Sequence, residues 1–309
     1  GSEMCIRDSD NKDEFRRVVV LDNPKKTLPS GWNVALREYK GDAIIKVDAH
    51  AVIPEDFVSK NVRVLETGEY ICGGQRPNII DKPTPFKETL LLAESSMFGS
   101  SIASYRNNPG KTYVKSLFHA AYRREVFEKV GFFNEELVRT EDNEIHYRMR
   151  KAGYKLCFDP DIISYQYTRS SLKAMLKQKY ANGYWIGKTS KVCPKCLSIY
   201  HFVPFAFVSA IIASGSVIGA TGLAECIKKR HNHTLGKGIS ALRKVTVVLT
   251  TVMWVLYALM ASGMAAVSAF KAEDKRNITN ACLPVLFLLL HLSYGIGTIA
   301  GLMDKSKRG

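Results

Sequence analysis

The chain has 309 residues, and its 44 Lys and Arg against 29 Asp and Glu give a formal net charge of +15. This length has room for one globular domain and a smaller second unit. Nucleic acid, an anionic membrane or a phosphorylated ligand would each explain the basic excess, but long uncharged stretches after residue 196 favour a membrane and argue against a nucleic-acid partner.

The N-terminal part begins with residues 1–9, which show no periodicity and are predicted to be a non-native or disordered tail. The β-branched run at 17–21 predicts a strand that ends in a turn. Apolar residues at helical spacing predict a helix at 30–39, and a second apolar run predicts a strand at 43–47. A strand, a helix and a strand within about 30 residues predict a βαβ unit with two parallel strands.

Alternating helices and strands continue to about residue 190. The predicted helices are 54–65, 87–105, 123–130 and 141–152, and the predicted strands are 70–72, 116–122 and 155–158. This alternation predicts an α/β domain over residues 10–190, with a Rossmann-like sheet that becomes mixed through its later strands.

Residues 191–309 differ in composition and predict a membrane region with two or three hydrophobic helices. Three stretches carry no charge, and each is long enough for a spanning helix, which needs roughly 20 apolar residues. The predicted helices are about 199–223, 245–270 and 281–303. The first contains Pro204 and several glycines, so it either spans the membrane or lies in the interface.

The basic loop at 225–244 bears on the orientation of these helices. If all three span and the preceding domain is cytoplasmic, this loop lies outside, against the positive-inside tendency. If the first helix lies in the interface or re-enters, the loop and the basic tail both lie on the cytoplasmic side. The charge count favours this second arrangement.

Seven scattered cysteines do not predict a disulfide framework. Cys193 and Cys196 have the spacing of a metal-binding or redox pair, but no second pair of ligands accompanies them. Two reduced thiols in a loop ahead of the apolar region are the favoured interpretation.

Asp48 and His50 directly follow the strand predicted at 43–47. Ligands of open α/β sheets bind beyond the carboxyl ends of the strands, so these side chains are placed where a ligand would lie. A divalent cation that bridges a nucleotide diphosphate prefers carboxylate oxygen, and the histidine favours Mn²⁺ slightly over Mg²⁺. A turn-forming Asp followed by an exposed His explains the same residues without any ligand.

Glu141 and Asp142 open the helix at 141–152, and Thr140 precedes them. Thr140 can cap this helix, and acidic side chains are stabilised in a first turn, so a structural role alone accounts for the pattern. The functional alternative is that one carboxylate deprotonates an acceptor hydroxyl.

A third cluster combines an amide with aromatic rings at Gln178, Tyr184 and Trp185. Aromatic rings are natural platforms for sugars, and amide and indole groups hydrogen-bond to hydroxyl or phosphate oxygen. Aromatic residues ahead of an apolar stretch are equally typical of a membrane interface. The two interpretations do not exclude each other.

The order and spacing of these clusters resemble the family 2 glycosyltransferases over residues 16–188, and most of all the succinoglycan-biosynthesis type that builds exopolysaccharide units. The motifs that carry the resemblance are Asp22-Asn23-Pro24, Ser30-Gly-Trp-Asn33, Gly41-Asp42, Asp48-Ala-His-Ala51, Gly73-Gly74, Phe98-Gly99, Tyr105-Arg106, Ala120-Ala-Tyr-Arg-Arg124, Val130-Gly131, Thr140-Glu-Asp142, Arg148, Ala152-Gly153-Tyr154 and Tyr167-Thr-Arg169. Their number and order make chance a poor explanation.

The resemblance implies a GT-A fold and an inverting, single-displacement mechanism. Asp48 matches the first carboxylate of the family's Asp-x-Asp motif and His50 its last position, so a divalent cation, Mg²⁺ or Mn²⁺, is expected there. The implied site residues are Asp142 and Glu141 for catalysis, Asn23, Asn33 and Asp48 for the donor, Asp48 and His50 for the metal, and Gln178, Tyr184 and Trp185 for the acceptor or the diphosphate.

The implied function is transfer of a sugar from a nucleotide-diphosphate donor, a UDP-hexose, to a polyprenyl-linked glycan at the bacterial inner membrane, with the catalytic domain cytoplasmic. Gln178 and Trp185 lie where processive members carry Gln-x-x-Arg-Trp, but that motif is not intact here. A processive polysaccharide synthase is therefore the second hypothesis, and an inactive membrane scaffold of a glycan-assembly complex is the third.

The family's first βαβ unit, which holds the nucleobase of the donor, has no counterpart before Arg16. The resemblance therefore leads to the expectation that the chain as given lacks the nucleobase half of the donor pocket and is inactive.

Overall fold

The computed structural model describes residues 17–99, 110–230, 236–272 and 277–305. The tail predicted at 1–9 lies outside the described residues. The same holds for the last part of the helix predicted at 87–105 and for the Tyr105-Arg106 motif.

The described part of the chain contains eight strands. They are β1 Ala43–Ile45, β2 Ala51–Val52, β3 Ile71–Gln75, β4 Asn78–Ile79, β5 Thr112–Val114, β6 Ala120–Arg123, β7 Leu156–Ile163 and β8 Tyr165–Tyr167. Five of them form one sheet in the order β1-β6-β3-β7-β5, and the other three form a small sheet in the order β2-β8-β4. In the larger sheet β3 and β7 are parallel, whereas the remaining neighbours are antiparallel.

Nine α-helices are described with these strands. They are α1 Leu28–Glu38, α2 Phe57–Glu66, α3 Pro85–Ser95, α4 Arg124–Val130, α5 Glu141–Lys151, α6 Leu172–Val192, α7 Val203–Arg230, α8 Lys237–Lys271 and α9 Leu283–Met303. The predicted α/β domain with a mixed sheet, followed by apolar helices, is confirmed, and it is consistent with the GT-A fold that the resemblance implies.

The strand predicted at 17–21 is wrong, and so is the parallel βαβ unit built on it. This segment belongs to neither sheet, and Val20 is 78% exposed. β1 lies at the end of the strand order and pairs antiparallel with β6. A β-branched run forms a strand only where a neighbouring strand pairs with it, so propensity alone misled the prediction.

A bulge shapes the centre of the larger sheet. The register between β3 and β7 shifts between Gly73 and Gln75, and β7 extends well beyond the predicted 155–158. A Cβ at Gly74 would clash with the backbone oxygens of Asp159 and Ile162. Only glycine lets the two strands approach this closely.

One core of the domain lies between this sheet and α5, and a second lies between the sheet and α2. Ile145 and Met149 on one face of α5 are fully buried and pack against sheet residues such as Tyr122 and Phe158. This packing fixes the direction of α5, and so places its first residues at the edge of the sheet where β1 ends.

Three helices are long and apolar enough to cross a membrane, over Ile199–Arg230, Lys237–Lys271 and Ile278–Met303. Helix α7 is unbroken despite Pro204, because that proline lies in the first helical turn, where no intrahelical hydrogen bond is lost. In α9, 39% of the most apolar stretch is buried, against 6% in α7 and 11% in α8. Helix α9 is therefore packed more extensively against the rest of the protein than α7 or α8 is.

The partners of α9 are α3 and α6 of the α/β domain. The buried Thr89 of α3 hydrogen-bonds to Asn280, in the short 3-10 turn that leads into α9, with 2.7 Å between Oγ1 and Oδ1. Ser293 of α9 donates to the backbone oxygen of Leu176 in α6 at 3.1 Å. The α/β domain and the apolar helices thus share a hydrophobic core, which includes Leu90 and Phe287.

Replacing Gly74 by Ala should destabilise the fold by about 2 kcal/mol or more, because the new methyl group meets backbone atoms that cannot move without opening the sheet. Gly110→Ala is the matched control, since a Cβ there meets nothing within 4 Å. Thermal unfolding in detergent measures both variants. Equal transition temperatures for the two would contradict this account of the bulge.

Candidate functional site

The candidate site lies where the ends of β1, β6 and α5 meet. Lys46 and Asp48 follow β1, and the pairing with β6 continues through a hydrogen bond from Lys46 N to Ala120 O of 2.9 Å. His119 immediately precedes β6, and Asp142 lies in the first turn of α5. The mixed sheet therefore brings a lysine, a histidine and carboxylates together from three separate segments.

An ion pair between Lys46 and Asp142 forms the centre of the site. Lys46 Nζ lies 2.5 Å from Asp142 Oδ1, and the lysine side chain is 5% exposed. The ammonium is surrounded by the rings of Trp32, Phe118 and Phe133, at 5.5, 5.9 and 5.9 Å from their centroids. A cation in this apolar setting is stable only because carboxylates face it.

Burial and the ion pair act in opposite directions on the pKa values of Lys46 and Asp142. Burial acts to lower the pKa of Lys46, but the surrounding carboxylates, Asp142 first, outweigh it and raise this pKa. Burial raises the pKa of Asp142 above its ordinary value, although Lys46 opposes this shift. A carboxylate with a raised pKa is a better proton acceptor than a free aspartate.

Asp48 lies beside His119, with 3.7 Å between Oδ2 and Nε2. His119 is in turn held by Ser164, at 2.8 Å from Nδ1 to Oγ. Burial acts to raise the pKa of Asp48, but His119 and Lys46 outweigh it and lower this pKa, so the carboxylate is ionised at neutral pH. Its Oδ1 is buried without a hydrogen-bond partner among the described residues.

The carboxyl group of Glu141, next to Asp142, has a strongly raised pKa. Burial, followed by the charge of Asp142, raises the pKa of Glu141 to about 8. The group is therefore protonated at neutral pH. Its Oε2 is buried and has no hydrogen-bond partner in the described part of the chain.

A neutral histidine anchors α5 to the sheet below the site. His146 lies 2.8 Å from the hydroxyl of Tyr122 through Nε2, and 3.1 Å from that of Ser116 through Nδ1. Burial lowers the pKa of His146 to about 3, so the ring is uncharged. It adds no positive charge to the cluster and serves to orient the helix.

Asp48 and His50, the residues predicted to bind the metal, differ in their surroundings. The described residues contain no group of three His, Cys, Asp or Glu that could hold a metal ion. His50 is exposed and lies 2.6 Å from the amide nitrogen of Gln166. The unpartnered Oδ1 of Asp48 nevertheless fits a hard cation, since Mg²⁺ is commonly bound by one or two carboxylates together with substrate phosphates.

Asn23 and Asn33, the residues predicted to bind the donor, make hydrogen bonds within the protein. Asn23 donates to the backbone oxygen of Thr27 at 2.9 Å, at the start of α1. The amide of Asn33 donates to Phe133 O at 2.9 Å and accepts from Phe133 N at 2.9 Å. Asn33 therefore fixes one of the rings around Lys46, and neither contact pattern adds support for donor binding.

Gln178, Tyr184 and Trp185, predicted to bind the acceptor or the diphosphate, lie on α6. Trp185 is 8% exposed, and Oε1 of Gln178 is buried. The hydroxyl of Tyr184 donates to Asp304, just after the end of α9. Tyr184 thus faces α9, while the roles proposed for all three residues stay predictions.

Lys46, Arg76 and His119 are site residues that the sequence analysis missed. Lys46 could have been found, because alternate residues of an extended chain share a face and Asp48 lies two positions on. Arg76 is 3% exposed and stacks 3.9 Å from the Phe118 ring centroid. Only the fold brings Arg76 and His119 to the site.

Cys193 and Cys196 are distant in the sequence from Lys46, Arg76 and His119. Cys193 and Cys196 are both free, and a short 3-10 turn after α6 contains Cys196. This agrees with the interpretation of two reduced thiols.

Comparison with known proteins identifies a family model that covers most of the chain. The family model described as Glycosyl transferase family group 2 matches residues 43–297. The match includes Asp48, Asp142 and nearly all of the apolar region. The resemblance found in the sequence motifs is thereby confirmed.

Curated relatives are similar over part of their length. The chain is 29% identical over 175 residues to "Succinoglycan biosynthesis protein ExoA" of Rhizobium meliloti (strain 1021), covering 55% of this chain and 52% of the relative. It is 23% identical over 215 residues to "Dolichyl N-acetyl-alpha-D-glucosaminyl phosphate 3-beta-D-2,3-diacetamido-2,3-dideoxy-beta-D-glucuronosyltransferase" of Methanococcus voltae, covering 67% and 65%. It is 27% identical over 169 residues to "O-antigen chain rhamnosyltransferase WbaN" of Salmonella anatum, covering 51% and 54%. The chain thus spans about half to two thirds of the length of these relatives.

Glu141 gives stability a specific pH dependence. The folded group keeps its proton up to about pH 8, against an ordinary pKa of 4.5, so the folded state binds more protons in this window. Stability should therefore fall as pH rises from 4.5 to about 8. Glu141→Gln removes this pH dependence of stability. The transition temperature of the variant minus that of wild type should therefore increase as pH rises over the same range.

Thermal unfolding at about pH 5 and about pH 8 checks this expectation. Glu136→Gln removes an exposed carboxylate and controls for the loss of one negative charge. A difference between Glu141→Gln and wild type that is the same at both pH values would contradict the perturbed carboxyl group.

Proposed function

The chain belongs to glycosyl transferase family group 2, and we propose that it moves a sugar from a nucleotide-diphosphate donor, a UDP-hexose, to a lipid-linked saccharide with inversion at the anomeric carbon. The observation that carries the proposal is the buried cluster of Lys46, Asp48 and Asp142. It supplies a carboxylate base and an ionised metal ligand at one edge of the sheet.

Asp142 is the proposed base. Its carboxylate takes the proton of the acceptor hydroxyl, and the acceptor oxygen forms a bond to C1 of the sugar. The bond from C1 to the phosphate oxygen breaks on the opposite face, and the electron pair leaves with the nucleotide diphosphate. Its raised pKa supports this role, because a stronger base accepts the proton more readily.

Lys46 holds the Asp142 carboxylate in place while the acceptor approaches. The ion pair uses one carboxylate oxygen, Oδ1, and leaves Oδ2 for the acceptor proton. Rings around the ammonium exclude water from that side of the pair. Glu141, protonated at neutral pH, adds no further negative charge near the leaving diphosphate.

Enzymes of this family generally depend on a divalent cation, and Asp48 is the proposed ligand of Mg²⁺ or Mn²⁺, with His50 beside it. The cation neutralises charge on the leaving diphosphate when it is bound. Asp48 is suited to the role because it is ionised and its Oδ1 has no partner among the described residues.

The proposed acceptor is a polyprenyl-linked glycan at the cytoplasmic face of a bacterial inner membrane. The name of the Methanococcus relative specifies a dolichyl-phosphate sugar, and that of the Salmonella relative an O-antigen chain. Helices long enough to cross a membrane, packed directly on the α/β domain, support an acceptor that is membrane-borne.

A processive polysaccharide synthase is the alternative within the family. The number of sugars added to each acceptor separates the two functions, since single transfer yields one added residue and a synthase yields a polymer. The non-enzymatic alternative is an inactive scaffold. The buried, charged cluster argues against it, because such a cluster is costly to retain without a function.

Asp142→Asn should lower kcat by on the order of 100-fold or more while donor binding is kept, because the amide preserves shape but cannot accept the proton. The measurement is sugar transfer by the full-length protein in membranes, together with UDP binding. Asp161→Asn, at an exposed position on β7, is the matched control. Retained turnover in Asp142→Asn would remove this residue from the role of base.

Asp48→Asn should weaken Mn²⁺-dependent UDP binding by on the order of 10-fold or more, because a neutral amide is a poorer ligand for a hard cation. His50→Ala should have a smaller effect, since this side chain is exposed and contacts Gln166. Calorimetry with and without a chelator measures both variants. Binding of UDP that is indifferent to the cation would refute the metal role, and no binding by the wild type would favour the scaffold.

A further inference from the structure

Thr140 makes an unexpected contact at the start of α5. It occupies the N-cap position, where the sequence predicts that its hydroxyl caps the helix, but its side chain makes no capping hydrogen bond. Its Oγ1 instead hydrogen-bonds to Oγ1 of Thr189 on α6. Both residues are buried, Thr189 completely, so this pair is shielded from water.

A second contact from α6 holds the neighbouring residue. Arg139 donates from Nη1 to Oδ1 of Asn182 at 2.7 Å. Asn182 and Thr189 are two helical turns apart and therefore lie on one face of α6. The two residues that immediately precede Glu141 and Asp142 are thus both fixed by the same face of one helix.

The other face of α6 packs against α9 at unusually short distance. A Cβ on Gly183 or Gly187 would clash with the backbone of α9, and a Cβ on Gly297 or Gly301 would clash with the backbone of α6. Small residues spaced four apart allow two helices to approach in this way. Leu176 of α6 lies beside Ser293 of α9, and Tyr180, one turn later, lies beside Gly297, also one turn later. The two helices therefore run parallel.

Asp304 closes the end of this helix pair. It accepts from the hydroxyl of Tyr184, and its Oδ2 lies 3.2 Å from Nζ of Lys188. Its backbone oxygen accepts from Nζ of Lys191 at 2.9 Å. These contacts prevent α6 from sliding along α9, and they flank Thr189 in the sequence of α6.

We propose that Thr189, held by the packing of α6 against α9, positions the catalytic carboxylates of α5. The hydroxyl of Thr140 is the connection, since it belongs to the residue from which α5 starts. The inference rests on the proposed role of Asp142 and extends it to residues that touch neither donor nor acceptor. A small displacement of α5 moves Asp142 relative to the acceptor hydroxyl, and such displacements reduce rates strongly.

Thr189→Val tests the contact, because valine keeps the shape and removes the hydroxyl. The kcat of the full-length protein in membranes should fall by on the order of 10-fold, while KM for the donor stays within about twofold of wild type. Thr189→Ser restores the hydroxyl and should return kcat to within about twofold of wild type. Thermal unfolding is measured alongside, because Thr189→Val leaves the buried Thr140 hydroxyl without this partner, whereas Thr189→Ser keeps it.

Three results would overturn the proposal: a wild-type kcat for Thr189→Val, equal losses for the valine and serine variants, or a loss confined to KM. The Asp142→Asn variant is assayed in parallel. If it keeps its turnover, the proposed base is wrong; if it is inactive and Thr189→Val is normal, only the positioning role is wrong.

Gly301→Ala tests the contribution of α9, because the added methyl group pushes this helix away from α6. A loss of kcat with an unchanged KM for the donor is expected, although the substitution lies outside the α/β domain. Gly263→Ala in α8 is the matched control, since a Cβ there meets nothing within 4 Å and the residue is exposed. Wild-type kcat in Gly301→Ala, or an equal loss in Gly263→Ala, would overturn the role of α9.

Discussion

The structure depends on how one buried lysine is shared among three carboxylates. Lys46 faces Asp142 directly, and the carboxyl groups of Asp48 and Glu141 lie near it. Three ionised carboxylates around one ammonium would leave a buried excess of negative charge, which is costly in an apolar interior. The protonation of Glu141 relieves this excess and leaves Asp48 for the proposed cation and Asp142 for the proposed proton transfer. Every other element of the site serves to keep these four side chains together.

The groups that hold the cluster come from both sides of α5. On the sheet side, His146 reaches Tyr122 and fixes the middle of the helix. On the other side, Thr189 reaches Thr140 and fixes its first residue. Asn33 holds Phe133 against the lysine from a third direction. The start and the middle of the helix that carries the acidic residues are therefore each held by a neutral hydrogen bond, which adds no charge to the site.

The sequence revealed the parts of this arrangement that are local, and missed those that depend on distant partners. The residues from 43 to 50 predicted the strand and the position of Asp48 at its end. This was possible because a hydrophobic pattern depends only on residues that are neighbours in the sequence. The run at 17–21 is likewise rich in β-branched residues but has no pairing strand among the described residues, so the prediction failed. Thr140 was predicted to cap its helix, and its buried partner Thr189 is far along the chain. His119 gave no local signal, since its role depends on strand pairing.

The parallel alignment of α6 with α9 has a consequence for the order in which the protein matures. The contact between Leu176 and Ser293 joins residues 117 positions apart, and two long apolar helices lie between them. During synthesis α6 emerges well before its partner, and contacts between distant residues form late in folding. The glycine face of α6 stays unmatched until α7, α8 and α9 have been made. A nascent chain therefore completes the support of its acidic helix only after all three long apolar helices have been made.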